Sequence, residues 1–355
     1  MKNVAILGFG CAGYHCAMSL RSEGFEGDIH VFSDTDLPPY NPMLTTYYAG
    51  RRLPWKGLFP FGSLSSIASS LRLTVHTNSP VARLDCKERA VVLANGARYA
   101  FDNALISTGA KVFVPPIPDL PKKNIYVMRT PNDAKILRER LDKGDVKQAV
   151  VVGASMVGIK VAELFQRAGC RCVLADLAPS LFPLAAVPEV GEELGRRVEA
   201  KGVELKFGVG LSSIRETPEG LQVFFGEERV PADAVVLAIG TRPNLKFLDD
   251  AGPQVDRGVL VNERMETSVP GVYAAGDCSS GYDIQSGRHQ IIGLWANAGY
   301  QGVTAAGAML GHPVSYPGTL LHNITHFMDM DFIGFGDVKA EGEIIRWRNE
   351  GFFLY

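Results

Sequence analysis

No stretch of this sequence is apolar for long enough to cross a membrane as a helix, which takes about 20 residues. Met1-Lys2-Asn3 leads directly into the first apolar segment, so no secretory signal peptide is expected. The 6 cysteines lack the paired spacing of a disulfide framework, which fits a reducing compartment. These absences predict a soluble, cytoplasmic protein that has no membrane partner.

An excess of positive charge is also missing. Lys and Arg number 36 and Asp and Glu number 38, which gives a net charge of −2. Nucleic-acid binding needs a basic patch, so no nucleic-acid partner is expected. The histidines His289, His322 and His326 lack further ligands nearby in the sequence. His322 and His326 share helical spacing, but a surface or core histidine pair is the better interpretation. We therefore expect no metal site.

Glycine, in contrast, is abundant, with 38 residues, and it is concentrated in two fingerprints. GFGCAG runs from Gly8 to Gly13, and GASMVG runs from Gly153 to Gly158. Each follows a short run of small and β-branched residues and opens a stretch with helical apolar spacing. This context is typical of dinucleotide binding, although a glycine-rich turn can also be purely structural. Alternating strands and helices over 355 residues predict an α/β fold with two domains.

Each fingerprint is expected to hold a pyrophosphate. The first glycine permits a tight turn, Gly10 lets the backbone approach the phosphates, and the last glycine lets the helix pack on its strand. Ser155 replaces the middle glycine of the second copy and narrows that approach. The first turn of each helix supplies free N–H groups. The predicted phosphate-binding residues are Gly8, Gly10, Cys11, Ala12 and Gly13, and Gly153, Ser155, Met156, Val157 and Gly158.

An acidic residue should follow each fingerprint by about 20 residues and bind the adenosine ribose hydroxyls. Asp176 has that position in the second copy. In the first copy Ser33 has the usual position and Asp34 follows it, so both are candidates. A 2′-phosphate beside Asp176 would meet a carboxylate, so NADH should be preferred over NADPH. The alternative is that Asp176 only caps a turn.

Three further motifs complete the pattern: ALISTGA at 104–110, AVVLAIGTRPN at 234–244 and TSVPGVYAAGDC at 267–278. With the fingerprints they resemble the pyridine nucleotide-disulfide oxidoreductase superfamily, nearest to NADH-dependent ferredoxin and rubredoxin reductases and the FAD/NADH part of nitrite reductases. The resemblance implies that the first fingerprint binds FAD, that Asp277 binds the ribityl chain, and that the second fingerprint binds NADH. It adds these cofactor-binding candidates: Asn41, Pro42, Thr45, Ser107, Thr108, Gly109, Gly240, Gly276 and Trp295.

The resemblance also implies the domain organisation. Two Rossmann-like, three-layer domains are expected, with the NADH domain (112–243) inserted into a discontinuous FAD domain (1–111 and 244–318). Residues 319–355 are expected to form a short, incomplete C-terminal α+β region. Members of the family carry a complete domain there, so we expect either a truncated sequence or a partner subunit that covers the exposed strands.

Two apolar patterns place elements in these later segments. Leu294 to Leu310 is rich in small residues and predicts a helix, which by the resemblance points its N-terminus at the flavin pyrimidine. Apolar alternation at 332–335 and at 344–347 predicts strands in the C-terminal region.

The resemblance assigns the redox chemistry to the flavin alone. Disulfide and peroxide reductases of the superfamily carry a redox cysteine after the second strand, and Met43 aligns with it here. A thioether forms neither a thiolate nor a disulfide. Cys11 and Cys16 have the spacing of a redox pair, but five positions along a helix place their side chains about 140° apart. Packing is therefore their expected role, and no redox-active disulfide is expected.

Lys160 is the candidate catalytic residue. The related ferredoxin reductases carry a lysine after the second strand and a glutamate two residues past the second fingerprint, both near the flavin. Here Thr46 replaces the lysine and Lys160 replaces the glutamate. An ammonium without an acidic partner would favour the anionic reduced flavin and raise its potential. Alternatively, Lys160 points to solvent and pairs with Glu163 one helical turn on.

The implied function is that of an FAD-dependent NADH:acceptor oxidoreductase. NADH reduces FAD, and electrons then pass to a protein acceptor such as rubredoxin, a ferredoxin or an iron–sulfur subunit. Two alternatives stay open, namely an NADH oxidase that uses oxygen and a redox-sensing flavoprotein without appreciable turnover. The chain would act as a subunit of a larger redox complex or as a homo-oligomer.

Overall fold

The computed structural model of the chain describes residues 1–336, 338, 347–349 and 352–354. The chain forms two compact units. The first comprises residues 1–41, 55–111 and 242–321, and the second comprises 42–54, 112–241 and the described residues from 322 onward. Each unit contains a parallel sheet and helices, which confirms the predicted α/β class. The domain boundaries that the resemblance implied stay predictions.

A five-stranded parallel sheet forms the centre of the first unit. In spatial order its strands are Val272–Ala274, Asn103–Ile106, Asn3–Leu7, Asp28–Phe32 and Thr74–His76. In the middle strand the residues from Val4 to Leu7 form a continuous apolar run, and all of them are buried, as is typical of a strand with both faces covered. Helices Cys11–Ser22 and Trp295–Met309 pack on each other through small residues. A Cβ atom on Gly302 would overlap the carbonyl oxygen of Ala12, so this contact requires glycine.

Smaller elements complete the first unit. They are the 3₁₀ helix Trp55–Leu58, the helix Leu64–Ser70, the antiparallel strands Val81–Asp85, Ala90–Leu93 and Arg98–Ala100, and the strands Val259–Leu260, Ser279–Asp283 and Arg288–Gln290. Two further short strands, Ala110–Val112 and Thr241–Pro243, lie where the chain passes from one unit to the other.

The second unit has its own five-stranded parallel sheet. In spatial order its strands are Val203–Phe207, Arg171–Asp176, Gln148–Val152, Ala234–Leu237 and Ile125–Tyr126. Its helices are Pro131–Asp142, Met156–Arg167 and Pro188–Ala200, and three antiparallel strands are Ser213–Thr217, Gly220–Phe225 and Glu228–Ala232. Val151 packs in a core with the helix residue Phe165, while Val150 packs in a separate core with Val223 of the antiparallel sheet. Alternate side chains of one strand thus fill two cores, and the unit has three layers.

The remaining described elements also belong to the second unit. The 3₁₀ helix Pro42–Leu44 precedes the short helix Thr45–Ala49, and strands His322–Phe327 and Met330–Phe335 form a hairpin. The predicted alternation at 332–335 therefore lies on a strand. Trp347–Asn349 and Phe352–Leu354 form a second antiparallel pair, while 344–346 lie outside the described residues. In this described part of the chain, no helix combines the length and apolarity that a membrane span needs.

Candidate active site

The predicted FAD-binding motifs meet at one edge of the first parallel sheet. Leu7 and Ala274 both align with Ile106 on the strand between them, so the segments that follow these three strands start side by side. A Cβ atom on Gly276 would lie 3.5 Å from the Cβ atom of Ala12. Ligands bind at the carboxyl ends of strands in sheets of this kind. The sequence motifs are therefore brought together where a dinucleotide would bind.

The three glycines of the first fingerprint differ in what surrounds them. Gly8 has a φ of 97°, and a Cβ atom there would overlap the carbonyl oxygen of Ser107. On Gly13 a Cβ atom would overlap the carbonyl oxygen of Gly8. Gly10 has no heavy atom within 4 Å of its hypothetical Cβ position among the described residues. The outer glycines are thus required by the turn itself, whereas Gly10 leaves open space for a ligand.

The second fingerprint has the same geometry in the second unit. Gly153 has a φ of 112°, and a Cβ atom there would overlap the carbonyl oxygen of Ala238. A Cβ atom on Gly158 would likewise overlap the carbonyl oxygen of Gly153. Ser155 stands where the first copy has Gly10, and its hydroxyl lies 3.4 Å from the carbonyl oxygen of Ala238.

Both fingerprints open onto helix N-termini that lack side-chain caps. Gly10 and Ser155 are the N-cap residues, and neither helix has a capping side-chain hydrogen bond or an acidic residue in its first turn. Their first-turn N–H groups, on Cys11, Ala12, Met156 and Val157, have no partner within their helices because of helix geometry. This arrangement suits the phosphates of a dinucleotide, and the residues present fit the two nucleotides that the resemblance implies.

Asp176 supports the second glycine loop directly. Its Oδ2 atom accepts a hydrogen bond of 2.6 Å from the backbone N–H of Ala154, and its Oδ1 atom accepts one of 2.8 Å from that of Ala178. Asp176 therefore does cap a turn. A carboxylate has about four acceptor positions, so ribose binding is compatible with these two bonds and stays a prediction.

The candidates at the first adenosine site have different surroundings. Ser33 is buried, and its hydroxyl lies 3.3 Å from the backbone nitrogen of Thr35, from which it accepts a hydrogen bond. Asp34 is about half exposed and lies 3.7 Å from the ammonium of Lys111. The choice between Ser33 and Asp34 as the ribose ligand stays a prediction.

Most of the other predicted site residues stabilise loops. The hydroxyls of Thr45, Ser107 and Thr108 donate hydrogen bonds to the carbonyl oxygens of Pro42, Gly8 and Asn244 at 2.7 to 2.9 Å. The backbone N–H of Asn41 donates to Leu58, and that of Gly276 donates to the side chain of Gln301. Gly109 and Gly240 adopt φ angles of 61° and 104°, which favour glycine. Asp277, partly buried, precedes the buried Cys278.

Trp295 begins the helix Trp295–Met309, which confirms the helix predicted from Leu294 to Leu310. Its indole ring stacks on Phe61 with ring centres 5.5 Å apart. Its Nε1 atom is buried and has no hydrogen-bond partner among the described residues. A buried N–H group without a partner costs free energy, so this donor is suited to an acceptor that the protein itself does not supply.

The cysteines are poor nucleophiles. All 6 are free thiols, and Cys11, Cys16 and Cys278 are buried. Burial raises the pKa of Cys11 and of Cys16 to about 12, with Asp277 adding to the effect at Cys11, and raises that of Cys278 to about 11. At neutral pH these residues are thiols rather than thiolates. Met43, which aligns with the family's redox cysteine, is 52% exposed.

The predicted pairing of Lys160 with Glu163 is confirmed, but its predicted exposure to solvent and its predicted lack of an acidic partner are both wrong. The side chain is only 9% exposed, so it does not point to solvent. It does not lack an acidic partner either, because its ammonium lies 3.2 Å from the Oε2 atom of Glu163. The ammonium also donates a hydrogen bond of 2.5 Å to the carbonyl oxygen of His326 and lies 4.5 Å from the ring centre of Tyr47. Burial lowers the pKa of Lys160, and Glu163 opposes that shift.

Glu163 is the centre of this network, and sequence reasoning assigned it no role beyond pairing with Lys160. Its Oε1 atom accepts hydrogen bonds from Arg52 at 2.9 Å, from Arg167 at 3.1 Å and from the backbone N–H of Met328 at 3.0 Å. Burial would raise the pKa of Glu163, but the backbone N–H of Met328, Lys160 and Arg52 hold that pKa below its ordinary value. Glu163 lies three residues after Lys160 and four residues before Arg167. Both spacings place the side chains side by side on a helix, so the sequence could have indicated these two ion pairs. Nothing in the sequence pointed to Arg52.

Comparisons with known proteins agree with this geometry. The family model for pyridine nucleotide-disulphide oxidoreductases matches residues 2–302. A rubredoxin-NAD(+) reductase of Ectopseudomonas oleovorans is 28% identical over 78% of this chain and 71% of its own length. The ferredoxin–NAD(+) reductase component of a biphenyl dioxygenase system from Paraburkholderia xenovorans is 28% identical over 97% of this chain and 83% of its own length.

A solved structure shares the fold over nearly the whole chain. Putidaredoxin reductase, in its covalent complex with putidaredoxin, aligns with a TM-score of 0.90 and 24% identity, covering 98% of this chain and 84% of that one. Within the described residues, no group of three or more His, Cys, Asp or Glu side chains is arranged to hold a metal ion. The chain belongs to the pyridine nucleotide-disulphide oxidoreductase family and is an FAD- and NAD(H)-dependent oxidoreductase.

Proposed function

We propose that this enzyme takes electrons from NADH and delivers them, through FAD, to a cytoplasmic iron–sulfur protein of the rubredoxin or ferredoxin class. The observation that carries the proposal is the pair of equivalent glycine loops, one in each unit, each opening onto an uncapped helix N-terminus. Relatives named as rubredoxin and ferredoxin reductases support the choice of acceptor. The chain works either as a subunit of a larger redox complex or as a homo-oligomer.

The first unit holds FAD. The N–H groups at the start of helix Cys11–Ser22 bind the pyrophosphate beside Gly10, and Asp277 binds the ribityl chain. Trp295 offers its indole N–H as a donor, which has no partner within the described part of the chain. When bound, FAD accepts a hydride and releases single electrons. The protein's part is to fix the cofactor's position and charge environment.

The test of this proposal is anaerobic mixing of the FAD-loaded protein with NADH. The visible flavin absorbance should bleach within the mixing experiment, with one NADH consumed per flavin. Flavin that binds but is not bleached by NADH would overturn the assignment of the second unit as an NADH site. Bleaching followed by a long-lived reduced complex, in the presence of iron–sulfur acceptors, would favour a sensor over an electron-transfer enzyme.

We expect a preference for NADH over NADPH of about tenfold or more. A 2′-phosphate beside Asp176 would experience a repulsion of roughly 4 kcal/mol per charge pair at 4 Å and an effective dielectric near 20, and a third of that is a tenfold effect. The measurement is kcat/KM for both nucleotides in the wild type and in Asp176→Asn. The variant should narrow the preference. Equal efficiency with both nucleotides in the wild type would remove Asp176 from the ribose site.

Reduction by dithionite should be complete at two electrons per flavin. The reason is that the buried cysteines have raised pKa values and cannot supply a thiolate beside the flavin. Anaerobic titration should therefore show no thiolate-to-flavin charge-transfer band. Uptake of four electrons per flavin would show that a cysteine pair takes part.

Lys160 is proposed to tune the flavin potential, with Glu163 limiting its effect. A positive charge near the flavin favours the anionic reduced form, so Lys160→Met should lower the midpoint potential. Glu163→Gln removes the compensating carboxylate and should shift the potential in the opposite direction. Spectroelectrochemical titration of both variants measures this. Unchanged potentials in both would leave Lys160 with a structural role only.

A further inference from the structure

A charged cavity of about 340 Å³ lies entirely within the second unit. It is bounded by the helix Thr45–Ala49 with the residues that follow it, by the end of helix Pro131–Asp142, and by helix Met156–Arg167. Its charged lining residues are Arg51, Arg52, Asp142, Lys160, Glu163 and Arg167. Its volume is at the lower end of the range of ligand pockets, about 300–1,000 Å³. A small molecule would therefore fit better than a dinucleotide.

The cavity has positive charge in excess. Asp142 accepts a hydrogen bond of 2.5 Å from Arg51, so these two charges are paired. Glu163 is the remaining carboxylate, and it is shared by Arg52, Arg167 and Lys160 at 2.9 to 3.2 Å. Arg167 also lies 3.5 Å from Asp329, which is outside the cavity lining and also pairs with Lys201. Among the lining residues, four cations stand against two carboxylates. A net positive charge therefore remains at a site that is partly removed from water, where electrostatic interactions are stronger than at the surface.

The backbone conformation of Arg51 indicates a role for its side chain at the cavity. Its φ of 60° is in the left-handed region, which disfavours residues other than glycine. The residue follows the short helix Thr45–Ala49, where a glycine in this conformation is the common choice. Conformations of this kind are often kept at ligand-binding sites. Here the strained residue presents a guanidinium at the rim of the cavity.

Lys160 lines the same cavity and is close enough to the arginines to be affected by their charge. Burial is the main cause that lowers the pKa of its ammonium, Glu163 opposes that shift, and Arg52 and Arg167 add smaller lowering effects. An anion in the cavity would stabilise all these cations together. Guanidinium groups suit this purpose because their N–H groups match the oxygens of phosphates and carboxylates.

We propose that this cavity binds a small oxyanion, a phosphorylated or carboxylate-bearing metabolite, held by Arg51, Arg52 and Arg167. The cavity shares no lining residue with either glycine loop, and the proposed ligand does not depend on the identity of the electron acceptor. Phosphorylated and carboxylate-bearing ligands both present an oxyanion, and the experiment distinguishes between them.

The test is calorimetric titration of the FAD-loaded, NAD⁺-saturated protein with inorganic phosphate and, separately, with succinate. Saturation with both dinucleotides keeps the probes away from the glycine loops. At least one probe should bind saturably, and its affinity should fall as the salt concentration rises. Binding of phosphate alone would assign a phosphoryl ligand, and binding of succinate alone would assign a carboxylate ligand. Absence of saturable binding by both probes up to about 10 mM would overturn the proposal.

Two variants and one control locate the binding. Arg51→Gly removes a cation at a backbone position that suits glycine, so it should fold normally, and Arg52→Gln removes a second cation. Each should weaken binding by about three- to tenfold. Arg138→Gln is the matched control, because Arg138 packs on Tyr48 and does not line the cavity. Equal affinity in the wild type and Arg51→Gly, or equal weakening in Arg138→Gln, would contradict the assignment.

Discussion

Glu163→Gln should destabilise the protein by about 3 kcal/mol, the lower end of the range for breaking a buried ion pair. Glu163 is 2% exposed, and its carboxylate accepts hydrogen bonds from Lys160, Arg52, Arg167 and a backbone N–H group. Without it, three cations would lose their shared partner. The estimate is at the lower end because Arg52 and Arg167 are partly exposed and can be hydrated. Urea unfolding of the FAD-loaded variant and wild type measures the difference.

The double variant Lys160→Met/Glu163→Leu is the control for this prediction. Apolar side chains of similar size often replace a buried ion pair at little cost, so the double variant should recover about 1 kcal/mol or more relative to Glu163→Gln. The pKa of Glu163 is below its ordinary value in the folded protein. Its stabilisation is therefore present above that ordinary value and is lost as the pH falls toward the folded-state pKa. A loss below about 1 kcal/mol in Glu163→Gln at neutral pH would contradict the network's proposed importance.

Gly8→Ala should have an effect of similar size, by a different mechanism. The added methyl group would overlap the backbone of Ser107, and alanine disfavours the φ of 97°. Because a backbone carbonyl cannot move aside as a flexible side chain can, we expect a destabilisation of about 3 kcal/mol or more and loss of flavin during purification. Thermal unfolding and the flavin content per chain are the measurements.

Gly10→Ala separates folding from cofactor binding. Its Cβ atom would enter open space, and φ is −88°, which alanine adopts without strain. The variant should keep the stability of the apoprotein within about 1 kcal/mol, while its FAD affinity falls by about tenfold or more. If Gly10→Ala binds FAD as tightly as the wild type, the open space at Gly10 is not the pyrophosphate site.

Much of the fold was predictable because its signals are local. The apolar run from Val4 to Leu7 and the glycine turn that follows it define a strand and a helix start within a few residues, and the same holds at 149–158. The small-residue pattern of 294–310 likewise predicted the helix Trp295–Met309. Such patterns determine element type without reference to the rest of the chain.

The charged network around Lys160 was predicted only in part, because its contacts span distant segments. Glu163 lies one turn from Lys160 on the same helix, so that pairing was available from the sequence. Arg52, His326 and Met328 lie more than a hundred residues along the chain from Lys160 and Glu163. No local sequence pattern could have predicted these contacts. Their convergence makes Lys160 a buried, partnered cation.

The histidines of the C-terminal segment show how spacing alone can mislead. His322 and His326 are four residues apart, which is compatible with one face of a helix. They lie instead on the strand His322–Phe327, which pairs with Met330–Phe335. Phe327 and Phe332 of this hairpin pack against Phe182, so tertiary contacts decide the conformation.

The identity of the electron acceptor is tested most directly by reoxidation of the NADH-reduced enzyme in a stopped-flow instrument. One reaction contains an oxidised rubredoxin or ferredoxin under anaerobic conditions, and the other contains air-saturated buffer without a protein acceptor. We predict that the iron–sulfur protein reoxidises the flavin rapidly and is itself reduced in one-electron steps, while oxygen reacts slowly. Rapid reoxidation by oxygen, with no electron transfer to either iron–sulfur protein, would contradict electron delivery to a protein acceptor and would identify an NADH oxidase.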